Sequence, residues 1–175
     1  CQQCAAGSES VSTSQCAACA DGTYGATDGA SCVSCAAGKA GTGTSKGSEA
    51  DGCEACAVGH FSASDAAEDC SACAAGQFQS LTGQLSCTVC GADTYQDQTG
   101  QSSCKSQVPC GAGEYASADS TTEQRTCTPC PDNTFQASTS HFNTACQAGD
   151  VCTGDEYIST ALTATSDRVC STTST

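Results

Sequence analysis

Cysteine is the residue type with the greatest capacity for chemistry in this sequence. The chain has 175 residues, 19 of which are cysteines, and fourteen of these form seven C-x-x-C pairs. Thiols at this spacing serve three purposes in proteins: tetrahedral zinc binding, thiol–disulfide exchange and structural crosslinking. The pairs are Cys1/Cys4, Cys16/Cys19, Cys32/Cys35, Cys53/Cys56, Cys70/Cys73, Cys87/Cys90 and Cys127/Cys130. The five other cysteines are Cys104, Cys110, Cys146, Cys152 and Cys170.

Zinc binding and redox catalysis each conflict with part of this pattern. C-x-x-C knuckles are typical of structural zinc sites, but these knuckles do not divide into groups of four, and five cysteines belong to no knuckle. A redox-active C-x-x-C places a thiol of lowered pKa at the start of a helix, and the sequence predicts almost no helix. Structural disulfides are therefore the favoured interpretation, with a zinc-binding cysteine array kept as an alternative.

The histidines give little support for catalysis. His60 and His141 lie in polar segments without an orienting partner or a glycine-rich pocket beside them. We expect both to be exposed loop residues. The sequence therefore predicts no enzyme, no cofactor site and no metal site.

The composition excludes a conventional hydrophobic core. Only fifteen Val, Ile, Leu and Phe residues occur, too few to offset a conformational entropy cost of about 1–2 kcal/mol per residue. The net charge of −14, with only five basic residues, disfavours binding to nucleic acid or to anionic lipid. No apolar run approaches the roughly 20 residues that span a bilayer, so we expect no membrane insertion in this segment. Covalent bonds must hold the fold.

Glycines and aromatic residues recur at fixed distances from the cysteines. Three residues after the cysteine that opens each unit stands a Gly, Asn or Asp, the types that best tolerate a left-handed backbone, so each unit is predicted to turn there. These residues are Gly7, Gly22, Gly38, Gly59, Gly76, Asp93, Gly113, Asn133 and Asp155. Five residues after the opening cysteine stands an aromatic ring, except at Glu9 and Ala40. The rings are Tyr24, Phe61, Phe78, Tyr95, Tyr115, Phe135 and Tyr157. Such short, polar units predict two-stranded hairpins.

Closing each unit on itself accounts for all the cysteines but one. The predicted bridges are Cys4–Cys16, Cys19–Cys32, Cys35–Cys53, Cys56–Cys70, Cys73–Cys87, Cys90–Cys104, Cys110–Cys127, Cys130–Cys146 and Cys152–Cys170. Cys1 is left over and is expected to pair upstream or to be free. A closed loop of about 15 residues contributes roughly 3 kcal/mol in the chain-entropy model, so nine loops can replace the missing core. The predicted fold is a small disulfide-rich rod of tandem loops with short β-hairpins and almost no helix.

Two parts of the sequence resemble known extracellular repeats. The units CAAGQFQSLTGQLSCTVC and CGADTYQDQTGQSSC resemble ephrin-receptor-like cysteine-rich repeats. The segments CTPCPDNTFQASTSHFNTAC and CTGDEYISTALTATSDRVC resemble the cysteine-rich modules of tumour-necrosis-factor receptors. On this resemblance, residues 1–104 form an ephrin-receptor-like array and residues 105–175 form TNF-receptor-like modules. The resemblance implies an elongated extracellular array in which each aromatic ring packs on the bridge of its own loop.

Two functions fit these features. The favoured one is an extracellular structural repeat protein, a spacer or a subunit of a cell-surface or matrix filament such as a flagellar or surface hair. The alternative is a receptor-type ectodomain that binds a protein ligand. Either function places the chain outside the cell or at its surface, with other protein chains as partners, including copies of itself in a filament. The absence of an Arg/Tyr cluster of the kind used in tight binding modestly favours the structural role.

Overall fold

The structure, a computed structural model, describes residues 4–172. The chain forms two compact units, the first containing residues 4–105 and 121–123, and the second containing residues 106–120 and 124–172. We number the disulfide-closed loops as repeats 1 to 9 in chain order. Their bounds are residues 4–16, 19–32, 35–53, 56–70, 73–87, 90–104, 110–127, 130–146 and 152–170.

Each repeat contributes one antiparallel hairpin of two short strands, as the polar, turn-rich units predict. The first strand follows the left-handed turn, and the second includes residues at or just after the closing cysteine. In the first unit the pairs are β1 (Ser8–Ser12) with β2 (Gln15–Ala18), β3 (Thr23–Tyr24) with β4 (Val33–Ser34), β5 (Lys39–Gly41) with β6 (Cys53–Ala55), β7 (His60–Phe61) with β8 (Ser71–Ala72), and β9 (Gln77–Phe78) with β10 (Thr88–Val89).

The remaining hairpins follow the same order. They are β11 (Thr94–Tyr95) with β12 (Lys105–Ser106), β13 (Glu114–Ala116) with β14 (Cys127–Pro129), β15 (Thr134–Phe135) with β16 (Gln147–Ala148), and β17 (Glu156–Thr160) with β18 (Val169–Thr172). Within the described range the helix content is a single turn, α1 (Glu49–Gly52), capped by the Ser48 hydroxyl, which accepts the Asp51 N–H at 3.2 Å. The predicted small disulfide-rich fold with almost no helix is therefore confirmed.

The left-handed turns allow repeats two apart in the chain to touch. Gly59 in repeat 4 has φ of 78°, and a Cβ added there would lie 2.1 Å from the carbonyl oxygen of Gly100 in repeat 6. Asp93 and Asn133 adopt the same left-handed conformation, as predicted. In repeat 9 the left-handed residue is Gly154 rather than Asp155, because glycine adopts this conformation without a Cβ penalty.

Half-cystines take the place of an apolar core. The cysteines that open repeats 1 to 7 are each at most 4% exposed, and few large apolar side chains are buried with them. The closing cysteines of repeats 1, 2, 4, 5, 6 and 7 are more exposed, so these six bridges run from the interior toward the surface. The sulfurs thus form a discontinuous core, one bridge per repeat.

Candidate functional site

In the described part of the chain, eighteen cysteines form nine disulfides. They join Cys4–Cys16, Cys19–Cys32, Cys35–Cys53, Cys56–Cys70, Cys73–Cys87, Cys90–Cys104, Cys110–Cys127, Cys130–Cys146 and Cys152–Cys170. Each bridge closes one repeat. A sulfur held in a disulfide is not a thiolate and does not ligate zinc, so these eighteen residues do not form the alternative zinc array. Cys1 lies outside the described residues.

One group of potential ligand atoms lies close together in repeat 7. The side chains of Cys110, Glu114 and Cys127 place one such atom each within 4.8 Å of one another. The two sulfurs are bonded to each other, and the Glu114 carboxylate accepts the Gly111 N–H at 3.4 Å. A single carboxylate is too small a donor set for a metal centre.

The seven aromatic residues in register all lie on the first strand of a hairpin. Six of them are buried or half-buried, with Tyr95 the most enclosed at 8% exposure. Tyr157 is 53% exposed, and all five residues of β17 are exposed. Tyr157 is therefore less covered than the other six rings. The packing of each ring on its own bridge stays a prediction.

Buried glutamines form a structural feature that the sequence reasoning missed. Gln79, Gln96 and Gln136 follow directly after an in-register aromatic residue and are at most 7% exposed. The Gln96 side chain donates to the Ser103 carbonyl at 2.8 Å and accepts the Gln98 N–H at 3.1 Å, which clips the two sides of its loop together. The dipeptides Phe-Gln, Tyr-Gln and Phe-Gln at one fixed distance from the opening cysteine are the signal that was available.

The two histidines differ from each other in their surroundings. His60 is half-buried, and its Nδ1 lies 3.3 Å from the Val58 carbonyl oxygen. His141 is only 9% exposed, which makes the prediction of an exposed loop residue wrong. Its Nε2 lies 3.0 Å from the Gly111 carbonyl oxygen, and its Nδ1 accepts the Asn143 N–H at 3.1 Å. His141 is a structural residue between repeats 7 and 8.

Two ion pairs show opposite degrees of burial. In the second unit, Arg125 bonds Asp119 at 2.8 Å, its side chain is 6% exposed, and its guanidinium lies 4.7 Å from the centre of the Phe142 ring. Phe142, the aromatic residue outside the repeat register, thus packs under a buried arginine. In the first unit, Asp97 and Lys105 bond at 2.6 Å with both side chains 45% exposed. The hydrogen bond from Lys105 lowers the pKa of Asp97 and raises that of Lys105.

Backbone hydrogen bonds join consecutive repeats within each unit. The N–H of most turn glycines donates to the repeat that follows, as from Gly59 to the Gln79 carbonyl at 2.7 Å and from Gly76 to the Gln96 carbonyl at 2.7 Å. In the second unit Gly113 donates in the same way to the Gln136 carbonyl at 2.8 Å. The repeats are therefore hydrogen-bonded to each other as well as linked through the chain.

The clefts found in the described part of the chain are open and shallow. One of about 300 Å³ in the first unit is lined by Glu54, His60 and Asp69 above small residues. One of about 260 Å³ in the second unit lies beside Tyr115 and Pro131. Small-molecule sites bury most of their ligand, and these clefts do not enclose one.

The hairpin of repeat 9 carries an exposed apolar patch with acidic neighbours. Tyr157, Ile158 and Val169 are each 51–53% exposed. Tyr157 pairs with Ser171, two residues from Val169, which places Tyr157 and Val169 on one face of the hairpin, whereas Ile158 pairs with Cys170 on the other face. Asp155 and Glu156 are exposed beside them.

One part of this chain matches a known protein family. Among the described residues no helix is long and apolar enough to cross a bilayer. No curated protein matches the chain. Residues 130–170 match the family described as the TNFR/NGFR cysteine-rich region. The matched segment holds two bridges in succession, Cys130–Cys146 and Cys152–Cys170, so repeats 8 and 9 are similar to the cysteine-rich repeats of that family.

Proposed function

We propose that this chain is part of an extracellular receptor-type ectodomain that binds a protein ligand through the hairpin β17–β18. The observation that carries the proposal is the match of residues 130–170 to the TNFR/NGFR cysteine-rich region, because that match contains most of this hairpin. Nine disulfides in tandem are typical of secreted and cell-surface proteins, where the environment keeps them oxidised. We further assign residues 1–104 to ephrin-receptor-like repeats and residues 105–175 to TNF-receptor-like modules, on the repeat register.

The chemistry of the hairpin supports a protein partner. Exposed apolar side chains surrounded by polar ones are common at protein interfaces. Tyr157 and Val169 supply the apolar centre on one face of the hairpin, and Asp155 and Glu156 supply negative charge at its edge. The fitting ligand has an apolar centre within a basic rim, since charge complementarity steers association and fixes orientation.

The test is a binding measurement with a matched pair of variants. The oxidised chain is immobilised, and individually purified extracellular proteins from the same source are passed over it. A ligand is expected to bind Val169→Asp at least tenfold more weakly than the native chain. Val33→Asp adds the same charge to another exposed hairpin valine, on β4 and 45% exposed, and is expected to leave binding unchanged. Equal binding to both variants, or no ligand among these proteins, contradicts the proposal.

A structural spacer or filament subunit is the second candidate. It is favoured by the backbone hydrogen bonds between consecutive repeats, which stiffen an array beyond what flexible links provide. Electron microscopy of native material separates the two functions. Polymers or surface hairs that contain the chain would support the structural role, and dispersed particles that bind a ligand would support the receptor role.

A further inference from the structure

His141 is a buried histidine whose two ring nitrogens bond to backbone groups of opposite polarity. Nδ1 lies 3.1 Å from the nitrogen of Asn143, which can only donate, and Nε2 lies 3.0 Å from the carbonyl oxygen of Gly111, which can only accept. Nδ1 must therefore be unprotonated, and Nε2 must carry the proton. The neutral Nε2–H tautomer is the one form of the ring that satisfies both partners.

These bonds lie where repeat 8 contacts repeat 7. The backbone of His141 exchanges hydrogen bonds with that of Cys110, with N–O distances of 2.9 and 3.2 Å. The Asn143 carbonyl accepts the N–H of Ala116 on β13 at 2.8 Å. The imidazole therefore holds the segment that carries a backbone junction between the two repeats.

We infer that His141 is an acid-sensitive latch, whose protonation loosens the junction between repeats 7 and 8. A proton on Nδ1 turns an acceptor into a donor that faces the Asn143 N–H, so one hydrogen bond is lost and two donors oppose each other. Histidine is the side chain that ordinarily gains a proton between neutral pH and pH 5. Since the closed junction accommodates only the neutral ring, its contribution to stability is present at neutral pH and is lost as the pH falls.

The charged groups around the ring do not replace the lost bond. The Arg125 guanidinium packs on Phe142, the next residue, and opposes a second positive charge there, although Asp119 offsets it at 2.8 Å. The Glu114 carboxylate accepts the Gly111 N–H at 3.4 Å and is therefore engaged by the backbone. Nδ1 itself faces the Asn143 N–H and not a carboxylate. The exchange of acceptor for donor therefore decides the direction of the effect.

The latch is local and reversible because the disulfides do not depend on it. Cys110–Cys127 and Cys130–Cys146 keep both repeats closed at either pH. An extracellular chain with this junction changes the contact between repeats 7 and 8 when it enters an acidic environment. Restoring neutral pH restores the neutral ring and the hydrogen bond.

Amide hydrogen exchange on the native, oxidised chain tests the latch. Rates are measured by NMR at pH 7.4 and pH 5.0 and corrected for the intrinsic pH dependence of exchange. The protection of the Asn143 and Ala116 amides is expected to fall about tenfold at pH 5.0, the fold-change for a lost buried hydrogen bond. The amides of Gly59 and Gly76, which make the glycine bonds of the first unit, are expected to change less than twofold. Unchanged protection at Asn143, or an Nδ1–H tautomer at pH 7.4 by ¹⁵N shifts, overturns the latch.

A pair of histidine variants separates the latch from a merely structural role. In His141→Phe the protection of Asn143 is expected to be low and equal at both pH values. His60→Phe is the matched control, because Nδ1 of His60 faces an acceptor and tolerates a proton. It is expected to keep the native pH dependence at Asn143. If His141→Phe does not fold, the native chain and His60→Phe still decide the question, and a pH response that survives in a folded His141→Phe contradicts the latch.

Discussion

The two units use the same hairpin but fill the space between repeats differently. In the first unit the bridges of repeats 4, 5 and 6 each span 14 residues, and these three repeats meet through backbone groups and small residues such as Gly59. In the second unit the bridges of repeats 7, 8 and 9 span 17, 16 and 18 residues. There the longer loops carry large side chains, His141, Phe142 and Arg125, into the contacts between repeats. In these six repeats, the longer loops therefore go with specific side-chain contacts, although repeat 3 of the first unit also has a long loop, with a bridge that spans 18 residues.

The opening cysteines become less buried only in the last two repeats of the second unit. From repeat 1 to repeat 7 these cysteines are at most 4% exposed, whereas Cys130 and Cys152 are only half-buried. A repeat that is covered less depends more on its own bridge and on particular side chains. The comparison predicts that equal substitutions have unequal effects in the two units.

The largest difference between the two units in the free energy of unfolding is expected when left-handed glycines are changed to alanine. Gly59→Ala places a Cβ 2.1 Å from the Gly100 carbonyl oxygen and forces repeats 4 and 6 apart, at a cost of about 3 kcal/mol in the free energy of unfolding. Gly154→Ala meets no atom within 4 Å and costs only the left-handed backbone, about 1 kcal/mol. Urea unfolding of both variants under oxidising conditions measures the two costs. Equal costs would contradict the close approach of alternate repeats.

A smaller difference is expected for the buried glutamines. Gln96→Leu removes the two hydrogen bonds that the Gln96 side chain makes to the Ser103 carbonyl and the Gln98 N–H, at a cost of about 2 kcal/mol. Gln136 accepts the Ser138 N–H at 3.1 Å, but its Nε2 has no hydrogen-bond partner, so Gln136→Leu costs about 1 kcal/mol or less. Thermal unfolding compares the stability of the two variants. A larger loss of stability for Gln136→Leu would show that the two hydrogen bonds of the Gln96 side chain are not what stabilises the first unit.

Much of the fold could be predicted because it depends on spacing alone. Self-closing units account for all the cysteines except Cys1, and the nine bridges among the described residues join the same pairs that this spacing indicates. Left-handed turns at Gly59 and Asn133 follow from residue type and position. These features are local, so they do not depend on how repeats pack.

The contacts between repeats were not predictable from spacing. His141 reads as a polar loop residue, and Phe142 as an exception to the register, until repeat 7 is placed against them. Gln96 is polar, and nothing in its residue type indicates burial. Local patterns describe one repeat at a time, whereas these side chains are buried by a neighbouring repeat. The candidate binding hairpin was missed for a related reason, because the exposure of Ile158 depends on what covers it.

The smallest changes in stability are expected when the ion pairs are broken, and these changes also differ between the two units. Asp119→Asn removes one carboxylate from the Arg125 guanidinium, which is 6% exposed, and costs about 1 kcal/mol. Asp97→Asn breaks an exposed pair, and no measurable change in Tm is expected at physiological salt.

The pH dependence of the exposed pair follows from its two pKa shifts. The bond from Lys105 lowers the pKa of Asp97, so the contribution of Asp97 is present above the ordinary value of about 3.9 and is lost as the pH falls through the lowered pKa. The raised pKa of Lys105 makes its contribution present below about 10.4 and lost as the pH rises through the raised value. Both are present at pH 7, where 1 M salt is expected to remove what little the pair contributes, because water and ions surround both groups. Scanning calorimetry of both variants at low and high salt checks this. A larger Tm loss for Asp97→Asn than for Asp119→Asn would contradict the conclusion that the buried ion pair of the second unit contributes more to stability than the exposed pair of the first.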